Sequence, residues 1–216
     1  MKLLSQNKKM KNSSKDGVRI YNFGITAAVT CPMAGQCKAG CYAQQGAYVW
    51  SNVAQAFKAR HEATLRDDFA DLMSAEIAVK AKTARQQGDQ LIIRIHDSGD
   101  FYSPEYLRKW LDVVARFPEV HFYAYTKSVS MVRRTRDRML GGYWPSNFRV
   151  IFSEGGLEDH KIEPDDRHAR VFGSKAELEA AGYVDCSKDD WLAATTGSYR
   201  IGLVYHGAKG KAWQTA

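Results

Sequence analysis

No stretch of the chain approaches the roughly 18 consecutive apolar residues of a membrane span, and the opening Met1-Lys2-Leu3-Leu4-Ser5 lacks the apolar region of a secretory signal. A cytoplasmic protein is expected, with no membrane partner. Cysteine is scarce as well: four residues in 216. A chain of this length buries a core without disulfide support, and in a reducing compartment a few clustered thiols point to a metal site or redox centre rather than a disulfide framework. No repeat recurs at a solenoid period, which leaves one domain with a small appendage. Acidic residues are in deficit, 24 Asp and Glu against 31 Lys and Arg, for a formal net charge of +7.

Three of the four cysteines fall within eleven residues, Cys31-Pro-Met-Ala-Gly-Gln-Cys37-Lys-Ala-Gly-Cys41, and Cys186 stands alone. Soft thiolate ligands select zinc or iron-sulfur clusters. Zinc sites favour two close pairs, whereas this chain has a C-x5-C-x3-C triplet and one distant partner. That asymmetry suits a [4Fe-4S] cubane with three close ligands better than a zinc ribbon. Zinc, and thiols that are simply buried as small hydrophobes, are the alternatives. Cys186 lies in a polar segment that can fold back to the triplet, and it is expected to supply a fourth thiolate that closes the set.

The remaining text alternates strands and helices. Residues 18–28 read as a first strand leading into the cysteine loop, and residues 51–86 as one long helix or two, ended by Gly88. Leu91-Ile92-Ile93-Arg94-Ile95 reads as a strand buried on both faces. Ser103-Pro104-Glu105 starts a helix: Ser caps, Pro fits the first position and Glu complements the dipole. Leu107, Trp110, Leu111 and Val114 form its apolar stripe. Residues 120–125 and 149–152 give further strands, and weaker signals follow at 170–172, 175–181 and 201–206. Such alternation implies βαβ units and a mainly parallel α/β sheet, with residues 18–216 as one domain. Residues 1–17, rich in Asn, Ser and Lys, read as a flexible basic arm.

In parallel α/β proteins ligands collect where strand carboxyl ends meet their loops. Four polar loops are expected at that rim: the cysteine loop, His96-Asp97-Ser98-Gly99-Asp100, Thr126-Lys127-Ser128, and Ser153-Glu154-Gly155-Gly156. His96 and Asp97 have the residue types of an acid-base pair, although a strand-end histidine is as often just hydrogen-bonded. Tyr42, Tyr48, Trp50 and Tyr102 can stack on an adenine or pack in the core. Nucleic acid is a candidate partner through Lys2, Lys8, Lys9 and Lys11 of the arm and Arg133, Arg134, Arg136 and Arg138 of a basic helix; a solvated face is the competing reading.

The order of these elements resembles the radical S-adenosylmethionine (SAM) superfamily: a Cys triplet after the first strand, a strand ending in Ser98-Gly99-Asp100 before a Pro-started helix, and a strand ending in Thr126-Lys127-Ser128. It also resembles a bacteriophage-encoded family with a Cys-Pro-rich triplet, a Cys41-Tyr42-Ala43 step and a His96-Asp97-Ser98-Gly99-Asp100-Phe101 motif. Together these cover residues 18–156. The triplet is wider than the superfamily's C-x3-C-x2-C; Gly40 stands where an aromatic residue precedes the last Cys, with Tyr42 just after, and Asp100 replaces a Glu.

The resemblance implies a radical-SAM-like partial (β/α) barrel in which Cys31, Cys37 and Cys41 hold a [4Fe-4S] cluster and the fourth iron receives SAM. Ser98, Gly99 and Asp100 would meet its amino group, with Thr126, Ser128, Ser153 and Glu154 nearby and Tyr42 beside the cofactor. A fourth thiolate from Cys186 would instead close the cluster and favour a structural or electron-transfer role. A non-enzymatic iron-sulfur or zinc protein that binds nucleic acid or a host protein is the competing function; for a phage-encoded chain the compartment is the host cytoplasm.

Overall fold

The computed structural model describes residues 2–15 and 17–205. Seven strands, β1 (Val18–Phe23), β2 (Gln90–Ile95), β3 (His121–Thr126), β4 (Phe148–Ser153), β5 (His168–Phe172), β6 (Val184–Asp185) and β7 (Arg200–Val204), form one sheet in the order β1-β2-β3-β4-β5-β7-β6. Every neighbouring pair is parallel. The sheet curls into a half barrel, so the α/β class and the parallel sheet are as the sequence implied. The helices are α1 (Lys8–Ser13), α2 (Ser51–Leu65), α3 (Phe69–Gln87), α4 (Pro104–Arg116), α5 (Val129–Leu140), α6 (Lys175–Ala180) and α7 (Asp190–Thr195).

Both faces of the central strands are covered, which explains their unbroken apolar runs. Leu91, Ile93 and Ile95 of β2 face the main core with Phe69, Met73, Trp110, Val114 and Val129 from the helices; Ile92 joins Met10, Ile20, Tyr123, Ile151, Ala193 and Ile201 on the other face. Ser103 caps α4 by accepting from the Tyr106 amide at 3.2 Å, and Leu107, Trp110, Leu111 and Val114 are buried, as their spacing predicted. Residues 51–86 are two helices: Asp68 receives two bonds from the Arg66 guanidinium at 2.7 Å in the corner between them. Gly88 ends α3 in the left-handed region, at φ +71°. The first strand is shorter than its alternation suggested; it stops at Phe23 because residues 24–50 turn across the rim.

The amino-terminal residues do not form a free arm. Leu3 and Leu4 are buried, and their amides donate to the Glu76 carboxylate at 2.7 and 3.1 Å. Ser5 pairs antiparallel with Asn22, two 2.8 Å backbone bonds, and Asn7 caps α1 by accepting from the Met10 amide at 2.9 Å. Three apolar residues, Leu3, Leu4 and Met10, bring enough hydrophobic surface to pin a segment whose average composition is polar.

Candidate metal centre

The cysteine loop does not stand up from β1. It crosses the carboxyl rim and is tied to the loop after β4. Ala34 and Gly156 form an antiparallel bridge, the amides of Gly35 and Cys37 both donate to the Gly155 carbonyl at 3.2 Å, and the Leu157 amide donates to Met33 at 2.9 Å. Backbones meet so closely here that a Cβ on Gly35 would lie 3.0 Å from the Gly156 carbonyl carbon, and one on Gly156 2.9 Å from the Met33 oxygen. The far side of the turn is held by Asp159, whose carboxylate accepts from the amides of Gly155 at 2.6 Å and Gly156 at 2.8 Å. Three short 3₁₀ turns, Gln36–Lys38, Tyr42–Gln44 and Gly46–Val49, then lead to α2.

Cys31, Cys37 and Cys41 are all partly exposed on this loop and act on one another electrostatically. Burial pushes the Cys31 thiol up to about 12, with the Asp100 carboxylate adding to it, while the Ala28 amide works the other way. Burial also raises Cys37, against the positive charge of Lys127 and the Gly35 amide. Free thiols here are therefore neutral, and thiolate character needs a bound cation. Among the described residues no three Cys, His, Asp or Glu side chains are grouped tightly enough for a single metal ion. A cubane asks for a different arrangement, because each thiolate binds a separate iron and the sulfurs stand farther apart than around one ion. Three mutually sensed thiols on one loop, two of them beside backbone amides, fit that donor set.

Cys186 is not brought to the triplet. It is wholly buried on the opposite face of the sheet with Met10, Ile92, Ala193 and Ile201, fixed by its amide donating to Gly202 at 2.9 Å across the β6–β7 edge. The groups acting on its thiol are Lys9, Asp190, Asp185 and Asp189, and burial pushes it up to about 12. The chain does return to the cysteine loop, but through Tyr205, whose hydroxyl donates to the Gly40 carbonyl at 3.0 Å. The expected fourth ligand is thus a core residue: pairing of β6 with β7 carries it away from the rim.

The residues expected around SAM do gather at the rim, but their side chains are engaged there. Asp100 accepts from the amides of Phe101 at 2.7 Å and Lys127 at 2.8 Å, and burial nonetheless pushes it up to about 6. Ser98 donates to Ile25 at 2.8 Å, Ser128 to Phe101 at 2.9 Å, and Thr126 accepts from the Ser128 amide at 3.1 Å. Lys127, neither solvated nor free for a phosphate, donates to the Ser153 carbonyl and hydroxyl and to the Glu154 carbonyl at 3.0, 2.8 and 2.6 Å. Glu154 takes Arg170 at 2.5 Å. Gly99, at φ +86°, lies so close to Ile25 that a Cβ would clash at 2.3 Å. Tyr42 keeps its ring half-exposed while its hydroxyl donates inward to the Asp97 carbonyl.

His96 and Asp97 part company. His96 is enclosed by Phe23, Phe101 and Tyr106, bonded to the Tyr106 hydroxyl at 2.7 Å, and burial followed by the Arg94 charge pushes it down to about 3. Asp97 turns toward Asn7 and Tyr48, at 3.3 and 3.5 Å. They are not an acid-base pair. Tyr48 stacks on Phe57 and Tyr102 on Tyr106, which is packing, whereas Trp50 is exposed.

A family model described as "Gene product 88" matches residues 1–213. The chain belongs to the Gene product 88 family. The Gene 88 proteins of Mycobacterium phages D29 and L5 are each 34% identical to it over 103 residues, 45% of this chain and 42% or 43% of theirs. The matched stretch thus spans under half the length of these curated relatives. No solved structure matches. The phage-family resemblance is therefore secured for this Gene product 88 chain, and what supports its site is largely invisible in the motifs. Asp159 sits in a polar stretch that reads as loop, and only its three-residue spacing from Gly156 marks it as able to hold that turn.

Proposed function

We propose that this chain is an iron-sulfur protein of radical-SAM-like build, with a [4Fe-4S] cluster on Cys31, Cys37 and Cys41 at the rim of its half barrel. One observation carries the reading: three partly exposed thiols share a single rim loop while the fourth cysteine is sealed in the opposite core. Three protein thiolates leave one iron free to take a small molecule. When bound, such a cluster supplies electrons to that molecule. The chain's own contribution is to fix the loop, keep Lys127 beside Cys37, and shield the sulfurs with the β2 and β4 loops.

SAM is the ligand that the radical-SAM resemblance suggests, yet Ser98, Asp100, Thr126, Ser128, Ser153 and Glu154 have their polar atoms engaged between loops. Those side chains do not fit SAM as they stand, and no step is derived through it. Anaerobic purification with iron and sulfide analysis tests the cluster. A brown protein whose iron matches its sulfide supports it; a colourless protein holding zinc favours the metal-supported binding protein instead.

Nucleic-acid binding has a narrower basis than the sequence suggested. Arg133 is paired with Glu163 and Asp166, Arg136 with Asp137, and Lys9 with Asp190. Arg134, Arg138, Lys2, Lys8 and Lys11 remain exposed, and any electrostatic affinity in the host cytoplasm would rest on them.

A further inference from the structure

We infer that Asp159 is the positioning residue of the metal loop, acting on Cys37 through the Gly155-Gly156 turn; the part of this concerning metal rests on the cluster reading above. Its two carboxylate oxygens are divided between two successive amides, Oδ2 to Gly155 and Oδ1 to Gly156, at 2.6 and 2.8 Å. Gly155 has φ +92°, a conformation that L side chains rarely adopt, so the turn needs both glycine and an external acceptor to hold it. The peptide so fixed presents one carbonyl, Gly155, to two amides of the cysteine loop, Gly35 and Cys37. Cys37 itself is one of the two donors, so the chain of contacts from Asp159 to a thiol-bearing residue is amide, carbonyl, amide, with no flexible side chain between.

Neighbouring contacts make this turn the principal fastening on the far side of the loop. Ala34 bridges Gly156, and Met33 accepts from Leu157, so residues 33–37 lie along residues 155–157 as a short antiparallel ribbon. The Gly35 and Gly156 contacts leave no room for that ribbon to slide. Asp159 opens the 3₁₀ turn Asp159–Lys161, whose position is set in turn by Glu158 accepting from the Ser130 amide at 2.8 Å and from Lys161 at 2.8 Å. The metal loop is thereby referenced to the amino end of α5, an element far from it in sequence.

A purely structural role for Asp159 would change stability alone, so the test reads Cys37 directly. In the full-length protein, purified anaerobically and stripped of metal, the rate of iodoacetamide labelling at Cys37 relative to Cys31 is measured by mass spectrometry. Asp159→Ala should raise that ratio several-fold, Asp159→Asn less because its amide oxygen still accepts one bond, and Glu163→Gln, which lies outside the clamp, should leave it unchanged. Equal ratios in wild type and Asp159→Ala, with both folded by circular dichroism, overturn the inference. In parallel, iron release to a chelator from reconstituted protein should be about tenfold faster in Asp159→Ala, the usual scale for loss of a ligand-orienting contact. Wild type that takes up no iron defeats the cluster reading while the labelling ratio still decides the clamp. Wild type and Asp159→Ala releasing iron at the same rate defeat the clamp while leaving the cluster intact.

Discussion

Cys37 and Cys186 are the same residue in two unlike settings. The first rides on a rim loop held by backbone bonds, with Lys127 and two other thiols for neighbours; the second is fully enclosed among Met10, Ile92 and Ile201, beside a buried ionic group of Lys9, Arg94 and Asp190. Thiol count says nothing about which cysteines cooperate. Topology does: the loop after an edge strand crosses the rim, whereas a residue following a two-residue strand at the opposite edge of the sheet is carried into the far core.

The largest expected break in this comparison is loss of metal. Cys31→Ala, Cys37→Ala and Cys41→Ala should each lose most bound iron, with thermal stability of the metal-free protein changed by no more than about 1 kcal/mol for partly exposed positions. Three single variants that all keep full iron would remove the triplet from consideration. On the other side of the sheet the effect should fall on stability instead. Asp190 is completely buried and faces Arg94 at 3.2 Å and Lys9 at 3.3 Å. Removing it with Asp190→Ala leaves two cations uncompensated and should destabilise by about 3–5 kcal/mol in urea unfolding. A change below about 1 kcal/mol would show that water reaches that group.

Acid titration separates the two sides by a smaller margin. His96, pushed down to about 3 by burial, refuses a proton that the unfolded chain accepts near pH 6.5; its contribution is fully present above about pH 6.5 and is lost as pH falls toward 3. Asp100, pushed up to about 6, has the opposite sign, since the native state holds a proton that the unfolded chain releases, at a pKa of about 3.9. Between about pH 4 and 6 the two slopes, each about 1.4 kcal/mol per pH unit, should nearly cancel in metal-free protein. In His96→Asn, a residue that tolerates the φ of +66° found there, stability should fall as pH rises through that window. Parallel slopes in variant and wild type would show that His96 takes its proton in the folded state. Smallest of all should be the charge effect: replacing exposed Arg134 and Arg138 by Gln should lower the salt slope of any binding to single-stranded nucleic acid by about one unit. An unchanged slope would return both to the solvated surface.

Much of the scaffold was legible because strand and helix periods were clean. Leu91 to Ile95 announced a strand covered on both sides, and Ser103-Pro104-Glu105 announced α4. The cysteine triplet and the other rim loops were placed at one end of the sheet correctly, since each follows a strand of the same direction. Long-range pairing was not legible. Nothing local in the residues around Cys186 reveals that β6 adds outside β7, and nothing near Lys127 reveals that its amine is shared among Ser153 and Glu154. The amino-terminal segment misled by its average: Leu3, Leu4 and Met10 are few, but each is buried, and burial is decided residue by residue.

The most direct test compares iron and acid-labile sulfide per chain in anaerobically reconstituted wild type, Cys37→Ala and Cys186→Ala. The account predicts a full [4Fe-4S] complement in wild type, nearly the same in Cys186→Ala, and almost none in Cys37→Ala. A wild type without sulfide-matched iron, or a Cys186→Ala protein that loses its cluster while Cys37→Ala keeps it, would contradict the assignment of the metal to the rim loop.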